Sequence, residues 1–201
     1  RTESGGCHQR RHVAVEAAAT AADEVELDTV CIEQRPDELL DPGLDVYSAA
    51  VADHSVHTVD PDDFFATAKH HPFGLSRMGR ENIVRDPYDV TDDGALECFG
   101  AIPEGEFVHV LAGETDSLVD AARAAHEDAV STGKPDRGPV VTFDCISRAL
   151  FMDSSFDTEL SAMGDDEQPA FGALTIGEIA NDGHGHLEYY NKTAVIAQLH
   201  E

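Results

Sequence analysis

The sequence predicts an α+β fold, a layered single domain in which a mixed, largely antiparallel sheet is packed by helices. Several β-type segments follow one another without an intervening helix, which argues against a regular strand–helix winding. Between them lie amphipathic segments with helix start and stop signals. A chain of 201 residues with 41% hydrophobic residues is also large enough to bury the core of one domain.

The N-terminal part holds two weak structural signals. Arg1–His12 is polar and contains glycines, and we expect it to be disordered. Val13–Asp23 is rich in alanine and predicts a helix, because alanine has the highest helix propensity. Val25–Gln34 alternates between apolar and polar residues, which predicts a strand.

Two helices are predicted from repeated start signals. Asp41-Pro42 combines an N-capping residue with proline at the first helical position, and the helix is expected to carry Leu44–Ala52. Asp60-Pro61 repeats this signal before an apolar segment that begins at Phe64. We expect this second helix to stop at His71-Pro72, since the residue before proline is disfavoured in helices.

The middle of the chain has a β pattern. Ile83–Arg85 predicts a short strand, and Asp92-Asp93-Gly94 is typical of a hairpin turn. Two further strands are expected over Ala95–Ile102 and Glu106–Leu111, joined by a turn at Pro103-Glu104-Gly105.

A third helix is expected to start at Ser117 as its cap and to end at Gly133. Its apolar residues form one stripe: Leu118, Val119, Ala121, Ala122, Ala125 and Ala129. The β-branched and aromatic residues of Val140–Phe143 then predict a buried inner strand.

The C-terminal part predicts a helix and two strands. The helix covers Phe156–Met163 and is closed by Gly164. Ala170–Ile179 and Leu187–Leu199 are apolar segments around a glycine-rich turn. We expect both in the same sheet as Val140–Phe143 and antiparallel to each other.

The surface charge is strongly negative. The chain has forty acidic and thirteen basic residues, which gives a formal net charge of −27, and the acidic residues are spread along the whole chain. Such self-repulsion is screened in molar salt, where the Debye length is about 3 Å. We therefore expect a cytoplasmic protein of a salt-accumulating halophile. Nucleic acids and anionic membranes are poor partners for this surface, and the absence of an apolar run of about eighteen residues predicts no membrane span.

The four cysteines show no CxxC pairing. This spacing indicates neither a disulfide framework nor a zinc site, and we expect no cofactor.

A candidate site follows the predicted inner strand. Cys145, Ser147 and Arg148 come directly after it, where layered α/β folds usually place their sites. Glu178 interrupts an apolar run, and a carboxylate there needs a partner. Arg148 is our predicted partner, because guanidinium and carboxylate match in a two-bonded fork.

Asn191 and Thr193 interrupt the apolar face of the last predicted strand in the same way. Because a buried unpaired polar group costs about 1–3 kcal/mol, we expect the three polar segments to converge into a small ligand pocket. The alternative is an internal network that stabilises the core and binds nothing. On that interpretation Cys145 is a small buried hydrophobe and Arg148 an ion-pair partner.

These residues occur within a set of short motifs that resembles the C-terminal half of FIST domains. The motifs run in the family's order from Leu39 to Leu199: L-D-P-G-L-D-V-Y at 40–47, H-P-F-G-L at 71–75, V-R-D-P-Y-D-V at 84–90, G-A-L at 94–96, I-P-E-G at 102–105, an acidic, alanine-rich helix at 116–129, F-D-C-I-S-R at 143–148, G-E-I at 177–179 and N-K-T at 191–193. Each motif is short, and their common order makes the resemblance specific.

The resemblance implies a sensory module of a signal-transduction protein that binds small molecules such as amino acids, without established catalysis. Its partners would be that ligand and a signalling effector domain or protein. We divide the chain into an N-terminal remnant, residues 1–38, and a FIST C-like sensory domain, residues 39–201. The family's N-terminal half is not found before Leu39, so a site shared between the halves would be incomplete.

Two alternatives use Cys145 chemically. A cysteine at a helix N-terminus could be the nucleophile of a hydrolase or acyl-transfer enzyme, with His184 or His186 as the base. The same three residues could instead bind a metal, although their spacing matches no known zinc pattern. The absence of a Cys-His-Asn signature favours the sensory function over catalysis.

Overall fold

Two four-stranded sheets form the framework of the part of the chain that the structure describes. This computed structural model describes residues 14–18, 29–31, 43–77, 80–131, 138–164, 169–180 and 186–199. The strands are β1 (Ala14–Ala18), β2 (Thr29–Cys31), β3 (Phe73–Arg77), β4 (Arg80–Arg85), β5 (Pro87–Val90), β6 (Leu96–Cys98), β7 (Phe107–Val110), β8 (Val140–Cys145), β9 (Ala170–Thr175), β10 (Glu178–Ala180), β11 (Glu188–Tyr190) and β12 (Ala194–Gln198). The helices are α1 (Gly43–His54), α2 (Phe64–Ala68), α3 (Thr115–Val130), α4 (Ile146–Met152) and α5 (Phe156–Ala162).

The first sheet has the order β2-β7-β3-β4 and is antiparallel throughout. The second sheet has the order β1-β12-β8-β9, in which only the β8–β9 pair is parallel. Two small hairpins, β5–β6 and β10–β11, accompany them. The predicted α+β class with mixed, largely antiparallel pairing is confirmed, although the strands divide between two main sheets.

Helices cover one face of each sheet, and the two cores differ in composition. On the first sheet, α1 and α2 contribute Tyr47 and Phe64, and the Tyr47 ring packs 5.5 Å from that of Phe73. On the second sheet, the α3 stripe brings Ala122, Ala125 and Ala129 against the strands. Small side chains at these positions let α3 pack closely against the sheet.

Several predicted elements are confirmed. The helix expected over Leu44–Ala52 is α1, and the Asp60 side chain accepts a hydrogen bond from the Asp62 N–H at the start of the second helical segment. The turn at Asp92-Asp93-Gly94 closes the β5–β6 hairpin. Val140–Phe143 lies in β8, an inner strand between β12 and β9.

Three predictions of local structure are wrong. The helix predicted over Val13–Asp23 is wrong for Ala14–Ala18, which pairs with β12 as a strand, so tertiary pairing overrides alanine's propensity. Ser117 lies inside α3, which starts after Glu114 in extended backbone. The strand predicted over Ala95–Ile102 ends at Cys98, and Gly100 has a φ of 91°.

The two final predicted strands are each divided. Ala170–Ile179 forms β9 and β10, while Leu187–Leu199 forms β11 and β12. β9 and β12 belong to one sheet and run in opposite directions, as predicted, but β8 separates them. Asp41-Pro42, Gly133 and His184 lie outside the described residues, as does Arg1–His12.

Candidate functional site

The candidate site lies where β8 ends and α4 begins. Cys145, the last residue of β8, is 1% exposed, and its Sγ lies 3.2 Å from the hydroxyl oxygen of Ser147. The Cys145 N–H donates to the carbonyl oxygen of Thr193 at 3.1 Å. The structure therefore brings residues 145, 147 and 193 together.

Glu178 is the buried acid of this region. It is 3% exposed, and its Oε1 accepts a 2.6 Å hydrogen bond from the Thr175 hydroxyl. Its Oε2 is buried and has no hydrogen-bond partner among the described residues. Burial raises the pKa of Glu178 well above its ordinary value, and the Thr175 hydrogen bond only partly opposes this. Burial, together with the charge of Glu178, also raises the pKa of the Cys145 thiol.

A sharp turn at residues 191–193 brings Asn191 and Thr193, the last two residues of the predicted site, close to Cys145 and Glu178. The Asn191 amide donates to the carbonyl oxygen of Ile176 and to the Tyr189 hydroxyl, both at 3.3 Å. The Thr193 hydroxyl donates to the carbonyl oxygen of Asn191 at 3.0 Å. We call the resulting group the polar cluster: Cys145, Ser147, Thr175, Glu178, Asn191 and Thr193.

Gly177 allows the polar cluster to pack tightly. A Cβ at this position would lie 2.3 Å from the Tyr189 hydroxyl oxygen. That hydroxyl donates to the carbonyl oxygen of Ile176 at 3.0 Å and also accepts from Asn191. The glycine is thus needed for the approach of the ring that supports Asn191.

Arg148 belongs to a different group of residues, and the predicted Arg148–Glu178 pair is wrong. Its Nε donates to Glu159 Oε1 at 2.8 Å and its Nη2 also contacts that oxygen. Its Nη1 donates to the carbonyl oxygen of Lys192 at 3.0 Å, and Nη2 to that of Leu118 at 2.9 Å. Asp144 lies 3.4 Å from Nε. We call Arg148, Glu159 and Asp144 the arginine centre.

Strand alternation explains this separation. Successive side chains of β8 point to opposite faces of the sheet, so Asp144 and Cys145 belong to different environments. Arg148 follows Asp144 by one helical turn and lies on the same side. Burial and the charge of Glu159 raise the pKa of Asp144 to about 7, while Arg148 opposes the increase.

Sequence reasoning missed a buried ion pair beside the polar cluster. Lys192 Nζ lies 3.0 Å from Asp86 Oδ1, and the two residues are 5% and 1% exposed. Lys192 also has a φ of 52°, an unfavourable conformation for a residue with a Cβ. The sequence contains one indication of a special role for Lys192, because lysine occurs at only three positions of this acidic chain.

The described residues hold no group of three or more His, Cys, Asp or Glu side chains placed to bind a metal ion. His184, a member of the alternative catalytic and metal sites, lies outside the described residues. No helix among the described residues is long and apolar enough to span a bilayer.

Comparison with protein families gives one match. The model of the FIST C domain matches residues 43–181, which include both sheets' helices and most of the polar cluster. Asn191 and Thr193 follow the matched range. No curated protein and no solved structure matches the chain.

Proposed function

The chain belongs to the FIST C domain family of signal-transduction sensory domains, and on this premise we propose that it senses a small molecule, with amino acids as the first class to test. The family supplies the general role. The choice of ligand class depends on the chemistry of the polar cluster.

The observation that carries this proposal is the unpaired Oε2 of Glu178. A buried acceptor without a partner costs about 1–3 kcal/mol, and a ligand ammonium or amide group that donates to it would recover that energy. Ser147 and Thr193 offer hydroxyl groups beside it, and Cys145 a small polarisable surface. Asn191 would position the turn, because its amide already donates to Ile176 and Tyr189. Arg148 has its donors directed to Glu159 and to two carbonyl oxygens, so we assign it a positioning role.

The raised pKa of Cys145 supports binding over cysteine catalysis. A nucleophilic cysteine needs a stabilised thiolate, whereas burial and the nearby Glu178 both disfavour the thiolate here. Among the described residues, the polar cluster therefore lacks the electropositive surroundings that activate catalytic thiols.

We also propose the setting of the domain. It would occupy residues 39–201, act on an effector domain or protein, and reside in the cytoplasm of a salt-accumulating halophile. The net charge of −27 supports the halophilic setting. β1 and β2 precede residue 39 and pair with β12 and β7, so the N-terminal remnant would contribute an edge strand to each sheet.

A thermal-shift screen of amino acids in molar potassium chloride tests the ligand proposal. A ligand at a hundred times its dissociation constant should add about 2.7 kcal/mol to the free energy of unfolding. Glu178→Gln should remove the response to amines without unfolding the protein, because glutamine still accepts from Thr175. A full response in this variant would mean that the ligand binds outside the polar cluster. If the parent protein responds to no amino acid, amino acids are excluded as its ligands.

The salt proposal has its own test. Lowering potassium chloride from molar to about 0.1 M extends the screening length to about 10 Å and should reduce the thermal midpoint. A midpoint that does not change across this range would contradict the halophilic setting.

A further inference from the structure

We propose that a second copy of this chain docks on the outer edge of the second sheet, with β9 of one copy pairing antiparallel to β9 of the other. Among the described residues, β9 lies at one end of the order β1-β12-β8-β9 and pairs with β8 alone. An edge strand directs half of its backbone N–H and C=O groups outward, where another strand can pair with them. This inference does not depend on the ligand proposed for the polar cluster.

The described edge strands of the two four-stranded sheets differ in how well they are protected against such pairing. The sequence of β9, A-F-G-A-L-T, contains no charged residue and no proline. By contrast, β1 contains Glu16, β4 contains Arg80 and Glu81, and β2 is only three residues long. Charged side chains, proline and short length are the usual means of blocking an edge. Of these four edges, β9 is therefore the one most open to a further strand.

The surface around β9 is apolar, although the chain as a whole is strongly acidic. Residues 170–180 contain a single charged side chain, that of Glu178, and it is buried. Four large apolar side chains of the same stretch are 48% to 69% exposed: Phe171, Leu174, Ile176 and Ile179. In a chain with a net charge of −27, an exposed stretch without surface charge indicates an interaction surface.

This apolar surface continues from β9 onto the neighbouring strand. In the parallel register of β8 and β9, Val141 lies beside Phe171. Phe143 lies beside Ala173 in the same way. Because side chains alternate along a strand and α3 packs against Val140, these residues lie on the face turned away from α3. Phe143 is exposed there although β8 is an inner strand, so the edge and this face form one apolar surface.

The area of this surface matches what a second copy requires. At about half exposure, a large apolar side chain presents on the order of 100 Å² to solvent. The four exposed side chains of residues 170–180 and that of Phe143 therefore present roughly 500 Å². A homodimer interface of standard size buries about 800 Å² per partner, of which about 65% is apolar, and this again amounts to about 500 Å².

A two-fold axis at Gly172 suits the sequence of β9. Opposite residues of an antiparallel pair lie on the same face, so this register places Phe171 of one copy opposite Ala173 of the other. A large side chain then packs beside a small one at two equivalent positions. The charges of the two copies repel each other, and molar salt screens this repulsion, so the dimer should weaken when potassium chloride falls to about 0.1 M.

Sedimentation equilibrium of the full chain in molar potassium chloride tests the proposal. The apparent mass of the parent should rise with concentration to twice the mass of the chain. Phe171→Lys should raise the dissociation constant of the dimer by about a hundredfold, because the two-fold interface loses two aromatic rings and gains two ammonium groups. Lysine also makes the chain less acidic, so increased repulsion between the copies cannot cause this loss.

Phe107→Lys is the matched control. Phe107 is 54% exposed, close to the 58% of Phe171, but it lies on β7, an inner strand of the first sheet. This variant should keep the dissociation constant of the parent. Hydrogen exchange of the parent gives a second measurement that needs no substitution: the amides of β9 should become more protected as concentration rises, while those of β2 and β4 should not change.

The two measurements decide the proposal together. A parent that stays monomeric at every concentration, or a dimer that survives Phe171→Lys, would overturn it, as would equal loss of the dimer in Phe107→Lys. Protection that rises at β2 or β4 instead of β9 would also overturn it. If circular dichroism shows that Phe171→Lys does not fold, the hydrogen exchange of the parent alone decides whether β9 is the interface.

Discussion

The arginine centre and the polar cluster are both buried at the end of β8, yet their hydrogen bonding differs. In the arginine centre, the guanidinium donates to Glu159 and to the carbonyl oxygens of Lys192 and Leu118. In the polar cluster, Glu178 Oε1 accepts a hydrogen bond from the neutral Thr175 hydroxyl, while Oε2 is buried without a partner among the described residues. A cation compensates the buried acids in the first group, whereas no cation among the described residues bonds the acid of the second.

This difference is our reason for giving the arginine centre a structural role and for proposing ligand binding at the polar cluster. Arg148 joins α3, α5 and the turn at residues 191–193, so it stabilises the positions of elements around the site. Glu178 has hydrogen-bonding capacity that the described protein groups do not use. A ligand gains most from the second kind of residue, because its donors need not displace an existing partner.

The largest expected effect is that of Arg148→Met. Methionine keeps much of the side-chain volume but leaves the acids of Glu159 and Asp144 buried without their cation. We expect a loss of about 3–5 kcal/mol in the free energy of unfolding, measured by urea denaturation in molar potassium chloride.

The double variant Arg148→Met/Glu159→Gln is the matched control for this change. It removes the opposing charge as well and should recover a large part of the loss. If Arg148→Met instead remained fully stable, the contrast between the two centres would be wrong, and Arg148 would be available as a ligand anchor.

Gly177→Ala should have the next largest effect. The new methyl group would meet the Tyr189 ring, whose Cζ lies 2.4 Å from the position of the Cβ. Displacing the ring breaks the contacts of Tyr189 with Ile176 and Asn191, and overpacking of this kind costs about 1–3 kcal/mol. Urea denaturation measures the loss, and Gly105→Ala is a control with no neighbour within 4 Å of the Cβ, although its φ of 80° adds backbone strain. A smaller loss at Gly177 than at Gly105 would argue against tight packing of the polar cluster.

Glu178→Gln should change how the free energy of unfolding depends on pH. The folded pKa of Glu178 is raised above its unfolded value, so the folded state binds the extra proton and stability falls as pH rises through this window. At pH 8 the variant should be more stable than the parent, because its amide carries no charge for burial to disfavour. At pH 5, where the parent carboxyl is protonated, the difference should shrink.

The measurement is the unfolding free energy of both proteins at pH 5, 6, 7 and 8. Asp93→Asn is a suitable control, because the Thr91 hydrogen bond lowers the pKa of this exposed carboxyl, so its contribution to stability should not vary between pH 5 and 8. A difference between parent and Glu178→Gln that does not vary with pH would mean that Glu178 is not perturbed by burial.

Much of this arrangement could be predicted from local patterns. Val140–Phe143 is rich in β-branched and aromatic residues, which identified the inner strand, and the interruption of apolar runs identified Glu178 and Asn191 as buried polar residues. The ion-pair partner of Arg148 could not be predicted, because Glu159 lies on a different element and only the packing of α5 brings it to Arg148. Lys192 was missed for a similar reason: its left-handed turn interrupts an apparent single strand, and no local signal marks that turn.

Cys145→Ser should have the smallest effect on stability, below about 1 kcal/mol. Sγ lies 3.2 Å from the Ser147 hydroxyl, and a serine hydroxyl at residue 145 can keep that contact, so the change loses mainly the packing of a polarisable sulfur. The same thiol should resist alkylation by iodoacetamide at pH 8 in the folded protein, because burial and Glu178 disfavour the thiolate. Peptide mapping by mass spectrometry measures alkylation at residue 145, with the urea-unfolded protein as the reactive reference. Rapid labelling of Cys145 in the folded state would favour a nucleophilic cysteine and argue against the proposed ligand-binding role of the polar cluster.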